Sequence, residues 1–270
     1  MVDVQSMKDE RQIPLQKVGV KGVRYPIVLK DKSSQVQHTT AVVNLYADLP
    51  HDFKGTHMSR FIEVFEQYRS DLSMPRFLKM LESIRTQLEA ETAYSDLHFP
   101  YFIQKAAPVT GQVAMMSYDC FYEGMVSSTE RKFVVGVSVP VQTLCPCSKA
   151  ISRYGAHNQR GIVTLKVTMD SFYWIEDLIA LVEDSASSGV YTLLKREDEK
   201  FVTEMAYDRP RFVEDVVREV YLKVDALHKF SQFTVEAENF ESIHNHSAYA
   251  FVEKNDIENI VEKNKESSDV

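Results

Sequence analysis

The chain has 270 residues, enough for one large domain or two fused modules that each bury a core. Its apolar share of 44% suits a globular protein, while a net charge of −8 and a pI near 5.5 argue against a nucleic-acid or anionic-membrane surface. Three cysteines, an odd number in a chain this long, do not make a disulfide framework, and no signal peptide or run of about 18 apolar residues occurs, which points to a reduced, cytoplasmic compartment.

Residues 1–11 and 254–270 are polar, lack periodicity and are expected to be disordered tails. Val18–Leu29 and Thr39–Tyr46 carry the alternation and β-branched residues of strands. Met58, Phe61, Ile62, Phe65 and Tyr68 then fall at helical spacing behind a cap at Thr56. A second helix starts at Ser73 and Pro75, with Phe77, Leu78, Leu81, Ile84 and Leu88 on one face. Strands at Phe99–Ala106 and Gln112–Tyr122, parted by Pro108 and Gly111, complete a ββααββ order over residues 12–128.

Residues 129–253 repeat that order. Phe133–Val141 and Ile162–Met169 read as strands, Tyr173–Asp184 as a helix, and Pro210–Leu227 as a second helix that buries Val213, Val216, Val217, Val220, Val224 and Leu227. Phe233–Ala237 and Ala248–Val252 are the closing strands, and Pro75-Arg76-Phe77 recurs as Pro210-Arg211-Phe212. The succession of elements argues for two fused modules. Antiparallel strand pairs with both helices between them predict an α+β fold, the helices layered on one face of the sheet.

The long connection Thr143–Gly161 joins two strands of the second module. It holds Cys145, Cys147, His157 twelve residues after Cys145, and the cations Lys149, Arg153 and Arg160. Long loops between strands usually carry function, and thiolate, imidazole and cations together suit a metal and an anionic substrate. Yet a Cys-x-Cys pair is often two small apolar residues at a strand end, and two cysteines with one histidine fall short of the four ligands of a structural zinc. Glu197-Asp198-Glu199-Lys200 reads as a solvated charged loop. Glu241-Ser242-Ile243-His244-Asn245-His246 reads as a polar turn; if that turn is helical, Glu241 and His244 converge and supply the missing ligands to Cys145 and His157. Such a mixed S, N, O set suits zinc or a harder first-row ion, manganese or iron. Glu214, one turn into the last helix and away from its valines, either complements the helix dipole or accepts a pair of ligand N–H groups. Lys149 and the helix start at Ser59-Arg60 are candidates for binding phosphate.

Five motifs now stand in order: Gly-Thr-His-Met-Ser-Arg at 55–60, Thr-Leu-Cys-Pro-Cys-Ser-Lys at 143–149, Ala-His-Asn-Gln-Arg-Gly at 156–161, Arg-Phe-Val-Glu-Asp at 211–215 and Glu-Ser-Ile-His at 241–244. Together they resemble the type IB GTP cyclohydrolase I family over nearly the whole chain apart from the tails. The resemblance implies a tunnelling fold of two fused ββααββ modules, and a homotetramer with active sites at subunit interfaces. It implies conversion of GTP and water to 7,8-dihydroneopterin triphosphate and formate, the entry to tetrahydrofolate synthesis. It also implies a divalent metal held by Cys145, His157, Glu199, Glu241 and His244. Cys145 would be the catalytic cysteine, His157 the proton-transfer group, and Glu214 the anchor for the guanine 2-amino and N1–H edge, with Cys147 shaping the loop. Two other classes stay open: a metal-free enzyme of the same fold whose cysteine attacks a nitrile or amidine carbon, and a non-catalytic pterin- or purine-binding protein.

Overall fold

The computed structural model describes residue 5 and residues 7–254. They form two compact units, one built from residues up to Pro100 with Cys120–Val135, the other from Tyr101–Asp119 and Gly136 onward. The far end of the β3–β4 hairpin (β3, Thr92–Ala106; β4, Val113–Ser127) is therefore grouped with the second unit.

In the first unit, β1 (Leu15–Asp31) pairs antiparallel with β2 (Gln35–Leu49), and β2 with β3. β2 buries Ala41, Val43, Leu45, Ala47 and Leu49 at every second position, the pleat sending them to one face. Onto the core come Phe61, Val64, Phe65 and Tyr68 of α1 (Met58–Tyr68) and Phe77, Met80, Leu81 and Ile84 of α2 (Met74–Gln87). β3 starts seven residues before the predicted Phe99, because small and polar residues occupy its buried positions Ala93 and Ser95. The Ser95 hydroxyl donates to the Asn44 carbonyl at 3.0 Å, so burying it leaves no polar group unpaired.

The expected tails are only partly described. Residues 1–4, 6 and 255–270 lie outside the described residues. From Gln5 to Asp9, however, the expected free tail is hydrogen-bonded to the chain before α1, through Gly55 N–H to Gln5 C=O (3.1 Å), Lys54 N–H to Met7 C=O (3.0 Å) and Asp9 N–H to Asp52 C=O (3.2 Å). The same pairing takes Thr56, whose carbonyl accepts from the Gln5 side chain, and the N-cap position falls on His57 instead.

The second unit contains the end of β5 (Arg131–Leu144), α3 (Pro146–Ile151), β6 (Asn158–Thr168), α4 (Ile175–Glu183), β7 (Ser188–Gly189), α5 (Arg196–Asp208), α6 (Val213–Ala226), β8 (Phe233–Asn239) and β9 (Ala248–Glu253). Strands β6, β8 and β9 run antiparallel in that order, and the short β7 pairs with β5. Val163, Leu165 and Val167 of β6 alternate inward, while Leu178, Ile179 and Val182 of α4 and Val216, Val220 and Val224 of α6 make the helical side of the core. The first half has the expected ββααββ order, whereas in the second half α3, β7 and α5 interrupt it, because the connections read as loops at 143–161 and 185–209 carry elements of their own; the fold is α+β with antiparallel sheet. Among the described residues no helix is long and apolar enough to cross a membrane.

The expected charged loop at Glu197–Lys200 is instead the first turn of α5. Three acidic residues there complement the helix dipole. Glu197, Glu199 and Lys200 are exposed as expected, but Asp198 is fully buried.

Gly124 of β4 lies against α2, and a Cβ there would stand 2.4 Å from Phe77 Cε1 and 3.1 Å from Leu81 Cδ1. Phe77 cannot easily retreat, because its ring packs against Tyr122 and Phe133 at centroid distances of 6.1 and 5.0 Å. Gly124→Ala is expected to cost about 1–3 kcal/mol by overpacking, seen as a lower urea midpoint at unchanged m-value. An unchanged midpoint would mean the Phe77 ring swings aside.

Candidate active site

The site begins where β5 ends. Leu144 N–H donates to the Ser187 hydroxyl at 3.1 Å, and Leu144 C=O accepts Arg211 N–H at 3.0 Å. The next residue, Cys145, donates its N–H to the His157 carbonyl at 3.1 Å. Four segments distant in sequence thus meet at two consecutive peptide groups.

Cys145 is the N-cap of α3, with extended backbone angles, and Pro146 occupies the first helical position, where its missing N–H costs nothing. Cys145 Sγ accepts Ser148 N–H at 3.4 Å. The Ser148 hydroxyl donates to Cys145 C=O and accepts His157 N–H, both at 3.2 Å. Ser148 therefore holds the cysteine and the histidine in one arrangement. Cys147, on the turn of the helix itself, is exposed.

The His157 ring sits between two acceptors. Its Nδ1 is 3.0 Å from Gln159 Oε1 and 3.6 Å from Glu241 Oε2, the first a hydrogen bond and the second a looser charge contact. Both side chains of the charge pair are shielded, at 14% and 12% exposure. Glu241 is delivered by β8, where Gly161 pairs with Asn239 and Phe240 N–H donates to Arg160 C=O at 2.9 Å. Gly161 makes this approach possible, since a Cβ there would meet Asn239 Oδ1 at 2.5 Å.

The other predicted metal ligands stand apart from this pair. Glu199 is exposed on the first turn of α5. Residues 242–246 form bends rather than a helical turn, and exposed His244 stacks on His246 with ring centroids 5.1 Å apart. Among the described residues, no three His, Cys, Asp or Glu side chains are gathered as a metal-binding group. Cys145, His157 and Glu241 are donor types that a divalent ion accepts, while His157 Nδ1, the nitrogen facing Glu241, is taken up by Gln159 Oε1.

Two predicted cations are engaged at helix ends. Lys149 Nζ donates to the Tyr207 carbonyl near the end of α5 and lies 4.1 Å from the Tyr207 ring centroid. Arg60, on α1 in the first unit, donates to the Gln87 carbonyl at the end of α2 (2.9 Å). Glu214 is exposed on the first turn of α6, and its neighbour Asp215 does the capping, accepting Phe212 N–H at 2.9 Å.

Comparison with known proteins bears on this arrangement. The family model described as type I GTP cyclohydrolase folE2 matches residues 1–250. The chain belongs to this family. It is 55% identical over 254 residues to the GTP cyclohydrolase FolE2 of Syntrophus aciditrophicus (strain SB), covering 94% of this chain and 100% of that one. It is 53% identical to that of Geobacter sulfurreducens, covering 94% and 98%. Among solved structures it is similar to a uricase from Bacillus fastidious, with TM-score 0.54 at 6% identity, covering 88% of this chain and 92% of the uricase. That likeness shows the fold alone, the tunnelling fold.

In this GTP cyclohydrolase the residues that sequence reasoning passed over are mostly supports. Ser148 and Gln159 lay inside quoted motifs but carried no assigned role. Asp198 lay within a charge run, with no signal of burial. Its carboxylate accepts Val109 N–H and Thr110 N–H at 2.9 Å, the Thr110 hydroxyl at 2.7 Å and Lys195 N–H at 2.9 Å. Burial alone would raise its pKa, but these bonds outweigh it and hold the carboxyl well below the ordinary range. A depressed folded pKa means stability that is present above the unfolded pKa, about 4, and is lost as pH falls below it. Asp198→Asn is therefore expected to lower the melting temperature at neutral pH, with the gap to wild type closing as melts are repeated below about pH 4. A gap independent of pH would rule out the carboxylate charge as the cause.

Proposed function

We propose that this chain converts GTP and water to 7,8-dihydroneopterin triphosphate and formate, the first step of tetrahydrofolate biosynthesis, at a site built on Cys145, His157 and Glu241. One observation carries the assignment to these residues. His157 Nδ1 faces a shielded carboxylate, Glu241 Oε2 at 3.6 Å, while main-chain and Ser148 hydrogen bonds lock the histidine to Cys145.

Opening the imidazole ring of guanine needs water to add at C8, a poor electrophile until N7 is protonated or polarised. His157 gives a proton to N7 and takes it back as the ring opens, work suited to an imidazole near neutral pH. Glu241 stabilises the imidazolium half of that cycle, because its carboxylate faces Nδ1 in a shielded setting where Coulomb attraction is less screened. When bound, a divalent zinc, manganese or iron ion supplies Lewis acidity, which lowers the pKa of coordinated water to about 7 in the best-known zinc case. Cys145 would hold it, with His157, Glu241, Glu199 and His244 around the metal.

Glu214 accepts the guanine 2-amino and N1–H pair. Its carboxylate is exposed and relieved of capping, and it follows Arg211, whose N–H is bonded to the residue before Cys145. Lys149 and Arg60 are assigned to the triphosphate, each exchanging a helix-end carbonyl for a phosphate oxygen. We read the chain as two fused modules, residues 12–128 and 129–253, assembled as a homotetramer with its active sites at subunit interfaces. Exposed Tyr249 and Phe251 on β9, and Ile151 and Tyr154 beyond Cys147, support an assembly that covers them. Three free thiols support a reducing cytoplasm.

Incubation with GTP, followed by oxidation and pterin fluorescence, tests the activity. Turnover is expected, abolished by chelation and restored by a divalent ion. Full turnover after metal stripping would point instead to metal-free cysteine chemistry. Cys145→Ala is expected to lose bound metal and to lower turnover by at least about 100-fold. Cys147→Ala keeps much of both, and the reverse result would exchange the roles of the two cysteines.

Glu214→Gln separates recognition from helix stability, because it sets a donor against a guanine donor. A loss of roughly 2–4 kcal/mol in binding or turnover is expected. The melting temperature should hardly move, since a first-turn charge contributes only about 0.3–1 kcal/mol. Normal turnover in this variant would remove Glu214 from the site.

A further inference from the structure

Gln159 is the buried polar side chain of the His-Asn-Gln motif, with 6% exposure, and the proposed chemistry does not use it. Its Nε2 donates to the Thr143 hydroxyl at 2.9 Å, and its Oε1 stands 3.0 Å from His157 Nδ1. Thr143 is fully buried. We propose that Gln159, anchored by Thr143, is a positioning residue that fixes the neutral His157 ring as its Nδ1–H tautomer, leaving Nε2 as the nitrogen presented to substrate or metal.

The alternative amide orientation is disfavoured by the second acceptor. Turning the Gln159 amide would point its NH2 at Nδ1 and require a lone pair there. That lone pair would then face the Glu241 carboxylate at 3.6 Å. With Nδ1 protonated, one N–H meets an amide oxygen at hydrogen-bond distance and lies near an anionic oxygen, so both neighbours favour the same state. A free neutral imidazole prefers the other tautomer, with the proton on Nε2, so the site works against the intrinsic preference of the ring. The consequence is chemical. Only the unprotonated nitrogen can accept a proton or bind a cation, and here the pair of acceptors decides which nitrogen that is. The chain Thr143–Gln159–His157 also runs from the end of β5 to the start of β6, so the orientation is set by the sheet rather than by the loop between.

This inference rests on the reading of His157 as the proton-transfer group, but its test does not depend on turnover. The 15N shifts of the His157 ring, assigned by difference from a His157→Asn sample, report the tautomer directly. They are read by solid-state NMR of full-length protein at about pH 9, where an ordinary imidazole is neutral, with and without chelator. Protonated Nδ1 is expected in wild type. In Gln159→Leu the proton should move to Nε2, and GTP turnover should fall on the order of 10–100-fold. Gln159→Glu keeps an oxygen toward Nδ1, since the Thr143 hydroxyl can turn to donate, and should restore the tautomer with part of the turnover. A wild-type ring protonated at Nε2 overturns the proposal, whatever the variants do. So does a Gln159→Leu protein that loses turnover with its tautomer unchanged, which would be a structural effect only. Protonated Nδ1 in a protein that never turns over GTP would support the orientation and overturn the proposed activity.

Discussion

The arrangement of the second unit depends on two consecutive peptide groups at the end of β5. Leu144 is bonded on one side to Ser187 and on the other to Arg211, and Cys145 is bonded to His157. The bonds to Arg211 and His157 are backbone to backbone and tolerate many side chains, the one to Ser187 needs its hydroxyl, and all three fix positions closely because each amide has one donor and a directional acceptor. A thiol on a free loop would sample many places. Here its peptide neighbours are pinned by the start of α6, by the segment before β7 and by the start of β6, so the cysteine, the histidine and the first turn carrying Glu214 share one frame.

Much of the fold was legible in periodicity. The valines of α6 at helical spacing, the apolar faces of α1 and α2 and the alternation in β2 each report burial on one side, and that information is local. What was not legible depended on partners far along the chain. Asp198 in a run of charges is indistinguishable from a solvated residue until the Val109–Thr110 turn brings three donors to it. Gln5, Met7 and Asp9 show no periodicity because they are held by backbone bonds to Gly55, Lys54 and Asp52, which sequence composition does not reveal. The capping role open to Glu214 went to Asp215, a choice between adjacent carboxylates that only the turn geometry makes.

Charge follows the same division. The protein is acidic overall, so the phosphate binding proposed for it would have to come from a few placed cations rather than from net charge. Lys149 and Arg60 both rest on the carbonyl end of a helix, where the negative pole of the dipole holds a cation without neutralising it by a carboxylate. Such a cation gives up less on turning to a triphosphate than one already in a salt bridge, because only a neutral acceptor is left behind.

The pairing of β6 with β8 ties the last motif to the first. Side chains alternate along a strand, so a slip of one residue between these strands would turn every inward group outward. Gly161 faces Asn239 in this register, and a Cβ there would meet the buried Asn239 Oδ1 at 2.5 Å and the Glu238 carbonyl at 3.1 Å, so the Asn239 side chain would have to shift. Two residues beyond Asn239 comes Glu241, and four residues before Gly161 comes His157. The glycine that ends the His-Asn-Gln-Arg-Gly motif thus lies at the strand crossing between the imidazole and the carboxylate, and its missing side chain leaves room for the buried Asn239 amide that neighbours Glu241 in sequence.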